Sequence, residues 1–209
     1  MIQHERIGKM KLHIRGKYNL KPESLPHGEH KKGAVAFKEI DDTKKLGIVA
    51  NVVCFLIVVV LAIPATIRCR PYLNATHMQL SWGCIASLLV ALPHEFLHAI
   101  CFREDVYLYT NLKQGMLFVV GPETMSKERF IIMSLFPNVV FGFIPYVIGL
   151  MFPRLPFFAA LGTLAIGMGA GDYYNVFNAL TQMPKGSRTY LYGFHSYWYM
   201  PEEDEKDKD

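Results

Sequence analysis

The chain is poorest in charge where it is richest in apolar residues. Only 19% of its 209 residues are Asp, Glu, Lys or Arg, against about a quarter in an ordinary soluble domain. Four stretches, Leu46–Ile67, Gln79–Phe102, Phe130–Phe152 and Pro156–Leu180, contain no lysine or arginine at all. Cysteine is scarce too. Cys54, Cys69, Cys84 and Cys101 show no CxxC spacing, which argues against a thiolate metal site and leaves them as small packing residues. Period-two alternation is missing from the apolar stretches, which argues against barrel strands. No basic stripe interleaved with aromatics is present, so nucleic acid is not an expected partner. No signal peptide is expected, because the first apolar run starts only at residue 46 and is too long for one.

What is present is length. Each apolar stretch holds about twenty residues or more, enough at ~1.5 Å per residue to cross a ~30 Å hydrocarbon core. The expected fold is therefore an all-α integral membrane protein with four transmembrane helices. Pro153, Arg154 and Pro156 would break the third and fourth into a helical hairpin. Nineteen of the 22 lysines and arginines fall in the N-terminal segment, the 103–129 loop and the C-terminal segment, against three elsewhere. The positive-inside rule then places both termini in the cytoplasm. The expected organisation is a basic N-terminal segment (1–45), a membrane domain (46–184, core 79–180) and a C-terminal tail (185–209) that is disordered from about 201. Lys11–Arg15 reads as a short strand. Val106–Asn111 and Gly115–Val120 read as a cytoplasmic β-hairpin between the second and third helices. Ser126 is placed to cap the third helix, with Glu128 in its first turn.

The four stretches contain two carboxylates, Glu95 and Asp172, and two histidines, His94 and His98. Ionisable groups in a bilayer are costly and commonly functional. His94-Glu95-Phe96-Leu97-His98 is an HExxH motif. Positions i and i+4 share a helix face, so both imidazoles can ligate one zinc ion, and Glu95 can act as general base on an attacking water. Catalytic zinc takes three protein ligands, and Asp172 is the expected third. Counted from the cytoplasmic ends of their helices, His94, His98 and Asp172 lie at depths that agree within one turn. His195 and His77 are rivals expected outside the spans. Asn175 shares the Asp172 face and could orient a substrate carbonyl or stabilise an oxyanion, and Asn138 is a weaker candidate. Glycines 167, 169 and 171 predict close packing of the fourth helix.

The sequence LPHEFLHAICF, a short β-prone loop, SKERFIIMSLFPNVVFG and a Gly-rich segment with GDYYN together resemble the zincin peptidase family of small, mostly bacterial membrane proteins. These are similar to site-2-protease-type intramembrane metalloproteases. The resemblance covers about residues 80–180. It implies zinc held by His94, His98 and Asp172, with Glu95 as base. The chain departs from the site-2 pattern at Gly171-Asp172-Tyr173, where those enzymes have Asp-Gly, and no Asn-Pro precedes the aspartate. The expected function is a zinc-dependent membrane endopeptidase acting on a membrane or membrane-adjacent protein near the cytoplasmic face. The alternative is a non-catalytic scaffold or regulator stapled by zinc.

Overall fold

The computed structural model describes residues 11–111 and 116–202. Residues 203–209, most of the tail expected to be disordered, lie outside the described residues.

Asp42 starts the first helix, α1 (Thr43–Cys69). Its carboxylate accepts from the N–H groups of Lys44 (2.8 Å) and Lys45 (3.3 Å), satisfying donors that a helix start leaves unpaired. After a 3-10 turn the chain continues as α2 (Leu73–Leu89), which is kinked at Thr76. The Thr76 hydroxyl there donates to the Tyr72 carbonyl four residues back (2.8 Å). Then Pro93 intervenes. It lacks the N–H that the Leu89 carbonyl would receive in a continuous helix, and the second apolar stretch divides just before it, at Val90, into α2 and α3 (Ala91–Ile100). Serine 126 accepts from Arg129 N–H (3.2 Å) at the start of α4 (Lys127–Asn138). Pro137 lies in its last turn, and the chain widens into a π-turn over Val139–Phe143 before α5 (Ile144–Met151). The fourth stretch divides at Gly169 into α6 (Pro156–Met168) and α7 (Ala170–Gln182).

The chain is therefore not an all-α protein with four transmembrane helices. Among the described residues, two helices are long and apolar enough to cross a membrane, Lys44–Leu89 and Lys127–Met151, and Pro156–Met168 is a shorter apolar helix. Two β-sheets accompany them. The three-stranded sheet has the order β1-β3-β4, formed by Leu12–Lys17, Val106–Asn111 and Met116–Val120. β1 runs parallel to β3, and β3 antiparallel to β4. The expected hairpin strands are thus two members of a larger sheet. The four-stranded sheet has the order β2-β7-β6-β5, formed by Val35–Ala36, His195–Tyr199, Arg188–Tyr192 and Met125–Ser126. Its main hairpin, β6–β7, lies in the segment that the sequence reading took for a tail. The physical reason is that sheet pairing is non-local: β1 pairs with a strand some ninety residues away, and no local periodicity encodes that.

Two units result. The helical unit comprises Lys38–His94 and Phe130–Gln182. Its innermost element is α6, packed against α1, α2 and α5. Glycines permit this closeness. A Cβ at Gly162 would strike the Tyr146 backbone, one at Gly149 the Ala159 backbone, and one at Gly83 the Phe157 carbonyl. Small residues at these contacts let the helix backbones approach closely. The outer face of α1 leaves Phe55, Val60, Ile63 and Ile67 exposed. The second unit comprises the described residues of Met1–Phe37, Glu95–Arg129 and Met183–Asp209 and holds both sheets. Its core is aromatic. Tyr18 is 2% exposed and meets Tyr109, Phe118 and Phe194 edge-on at ring separations of 6.1, 5.5 and 5.1 Å, arrangements favoured by the ring quadrupoles. Beside it, the buried Glu123 carboxylate accepts from the N–H groups of Arg103 (2.7 Å) and Glu104 (3.0 Å) and pairs with Arg129.

Burial, aided by the charge of Glu23, pushes the Tyr18 hydroxyl from its ordinary value of 10.0 up to about 12. Between these values the unfolded chain has lost a proton that the native protein keeps. Stability is therefore complete below pH 10 and falls as pH rises toward about 12. Denaturant unfolding across that range is expected to show this loss in the wild type and little of it in Tyr18→Phe. An equal loss in both proteins would contradict the assignment.

Candidate metal centre

The HExxH segment occupies α3, where one helical turn separates His94 from His98. One ligand atom from each of His94, Glu95 and His98 lies within 4.8 Å of the others. The periodicity of the helix brings His94 and His98 to one face. His98 is buried, while His94 and Glu95 are half-buried.

Asp172 comes from the first turn of α7, where the helix dipole favours a carboxylate. Its Oδ2 lies 3.2 Å from His94 Nε2. Two donors bound to one tetrahedral zinc at ~2.0 Å stand about 3.3 Å apart, so this spacing suits joint ligation as well as a hydrogen bond. Asn138 Nδ2 donates to the same Asp172 oxygen at 2.7 Å and to the Ser134 carbonyl at 3.0 Å. Tyr173 OH donates to Asn138 Oδ1 at 3.2 Å. Asn138 is 1% exposed, and its amide is used from both ends. The break at Gly169 is what admits it: a Cβ there would collide with Asn138 Oδ1. Only glycine leaves that space.

Glu95 is held differently. Its Oε2 accepts from the backbone N–H of Val119 at 3.0 Å. Val119 belongs to β4, the outer strand of its sheet, so this N–H points off the free edge and not toward β3.

Of the other sequence candidates, Asn175 lies one turn beyond Asp172 on α7 and is half-buried. Asn138, the weaker of the two asparagine candidates, is hydrogen-bonded to Asp172. His77 is an exposed residue of α2, its ring 3.4 Å from the Asn74 carbonyl. His195 opens β7 opposite Tyr192. Gly169, Tyr173 and the Val119 N–H were not singled out by sequence reasoning as partners of the site. The presence of one asparagine in the third apolar stretch was the available signal for Asn138. Nothing local signalled Val119.

Two imidazoles one helical turn apart, one of them meeting a half-buried, hydrogen-bonded carboxylate, are donors of the kind that hold zinc in metallohydrolases. The family model described as "Putative zincin peptidase" matches residues 87–188, a segment that includes all of these donors. The match spans just under half of the chain, and zinc is the cofactor that such a family implies. No curated protein and no solved structure matches the chain.

Gly169→Ala is expected to displace Asn138 from Asp172 and to weaken zinc binding about tenfold, the usual cost of losing a partner of a metal ligand. Competition with a chromogenic chelator measures this. Asn138→Ala should weaken binding similarly, and the double variant should add little. Wild-type zinc affinity in both single variants would show that this contact does not support the metal.

Proposed function

We propose that the protein is a zinc-dependent, membrane-embedded endopeptidase that hydrolyses a peptide bond of a membrane or membrane-adjacent protein near the cytoplasmic face. The carrying observation is the meeting of His94 and Asp172 at 3.2 Å on helices that also present Glu95 and His98. In this reading His94, His98 and Asp172 hold the zinc. Zinc, when bound, supplies Lewis-acid activation of water at neutral pH.

The remaining chemistry belongs to the chain. Asn138 fixes the Asp172 carboxylate in place, as partners of ligands commonly do. Glu95 takes a proton from the attacking water and returns it to the leaving amine. Asn175, on the Asp172 face of α7, is proposed to orient the scissile carbonyl or stabilise the developing oxyanion. The outer edge of β4 would receive the substrate as an added strand, which exposes its carbonyls as a helix cannot. The helices Lys44–Leu89 and Lys127–Met151 embed the protein in the bilayer. The Lys/Arg imbalance supports cytoplasmic termini.

One observation favours the scaffold reading: the Glu95 carboxylate is already engaged by Val119 N–H, as a structural tie would be. The two readings part at Glu95→Gln. For a peptidase, the variant keeps one zinc per chain but loses about a hundredfold or more in cleavage of a fluorophore-quencher transmembrane peptide in proteoliposomes. For a scaffold, zinc removal lowers thermal stability and neither form cleaves. His94→Ala should lose the metal on either reading. Cleavage by Glu95→Gln at the wild-type rate would sink the mechanism.

A further inference from the structure

The sheet-bearing unit contains a cleft that the peptidase reading does not use. It has a volume of about 420 Å³ and lies between β1, β3 and the 19–26 segment. Arg15, Lys17, Tyr107 and Tyr109 line the sheet side, and Asn19 and Ser24 line the other. Cavities of this size hold small ligands, and this one is lined by two cations and several hydroxyl and amide groups.

The arginine is held in place. Its guanidinium lies 5.0 Å from the centre of the Tyr107 ring, and the His13 ring stacks on the same tyrosine at 5.0 Å. His13 in turn bonds Asp105 at 2.9 Å, a contact that holds the Asp105 carboxyl below its usual range. That aspartate is thus taken up by the histidine. Among the described residues no carboxylate pairs with Arg15 or Lys17. A guanidinium over an aromatic ring carries a fork of N–H donors suited to phosphoryl oxygens.

The backbone of β1 is shaped around this side chain. The register with β3 slips between Ile14 and Gly16, so Arg15 is the bulged residue that faces no partner. Bulges commonly re-aim a side chain. Gly16 follows with φ +74°. Next to the lining residue Asn19, Leu20 takes φ +65°, a conformation costly for a residue with a Cβ, and it is 46% exposed. Ile14, beside Arg15, is 77% exposed. Cations flanked by exposed aliphatic side chains are the pattern of an interfacial headgroup contact.

We infer that the cleft between β1 and the 19–26 segment binds a phosphate monoester, with Arg15 and Lys17 matching its two negative charges. Such a group can be the headgroup of an anionic phospholipid or a soluble phosphate, and the test separates them. Full-length protein in a neutral detergent is titrated by calorimetry with inorganic phosphate, with dihexanoyl phosphatidate and with dihexanoyl phosphatidylcholine, at constant ionic strength. The wild type should bind at least one of the first two probes and bind the choline lipid more weakly. Phosphatidate tighter than phosphate identifies a lipid source, and equal binding a soluble one. Arg15→Gln should weaken binding about tenfold or more, as loss of a charge-assisted bond does, while Arg15→Lys retains part of it. Lys17→Gln, a change at an exposed position, gives the same readout if the Arg15 variant does not fold. Zinc content should be unchanged in these variants, which separates this cleft from the metal centre. Binding of neither anionic probe at millimolar concentration, or equal affinity in wild type and both Gln variants, overturns the assignment.

Discussion

An ionised carboxylate cannot stand alone among apolar helices, and the helical unit is arranged around that constraint. Asp172 is satisfied by His94 on one side and by Asn138 on the other. Asn138 can reach it only because Gly169 offers no Cβ. The same glycine ends α6 and lets α7 begin one residue later, which puts Asp172 in the first turn of a helix. Pro137 and the following π-turn lie next to Asn138 on α4. Three departures from regular helix, at Val90, Val139–Phe143 and Gly169, thus lie close in sequence to the residues that form this polar cluster. In a protein held together largely by close helix contacts, irregular backbone near polar groups is tolerated where neighbouring helices enclose it.

The sequence made part of this legible and concealed the rest for identifiable reasons. His94 and His98 could be read as a pair because four residues make about one helical turn, and their grouping is a local property of α3. Asp172 could be tied to them by depth. Its partner Asn138 could not, because the contact joins residues thirty-four positions apart on different helices. The apolar stretches were visible, but their continuity was misleading. Val90 falls within the second and Gly169 within the fourth, and each marks a division between two helices.

The sheets were the larger omission. β1 reads LHIRGK, a piece too polar and too short to announce a partner, and its partner is parallel and distant. The β6–β7 hairpin holds Tyr190, Tyr192, Tyr197 and Tyr199 around a tight connection with Gly193 at φ +63°. Its strand character was present in the aromatic content, but the acidic run that follows drew the whole segment toward a tail. The aromatic core of this unit does for a small sheet domain what aliphatic layers do in a larger one. Tyr18 alone brings together residues from β3, β4 and the β6–β7 turn.

The Glu95–Val119 contact then takes on a meaning that neither residue has separately. An outer strand exposes N–H groups that another chain can pair with, and native proteins commonly cover them. Here the cover is a carboxylate on the helix that carries the histidines. On the peptidase reading, an extended substrate pairing with β4 would compete for the Val119 N–H and leave Glu95 without that donor. Strand pairing and the placement of Glu95 would then be coupled through one backbone amide. On the scaffold reading the same bond has no reason to break. The occupancy of the β4 edge is therefore the physical variable on which the two readings differ.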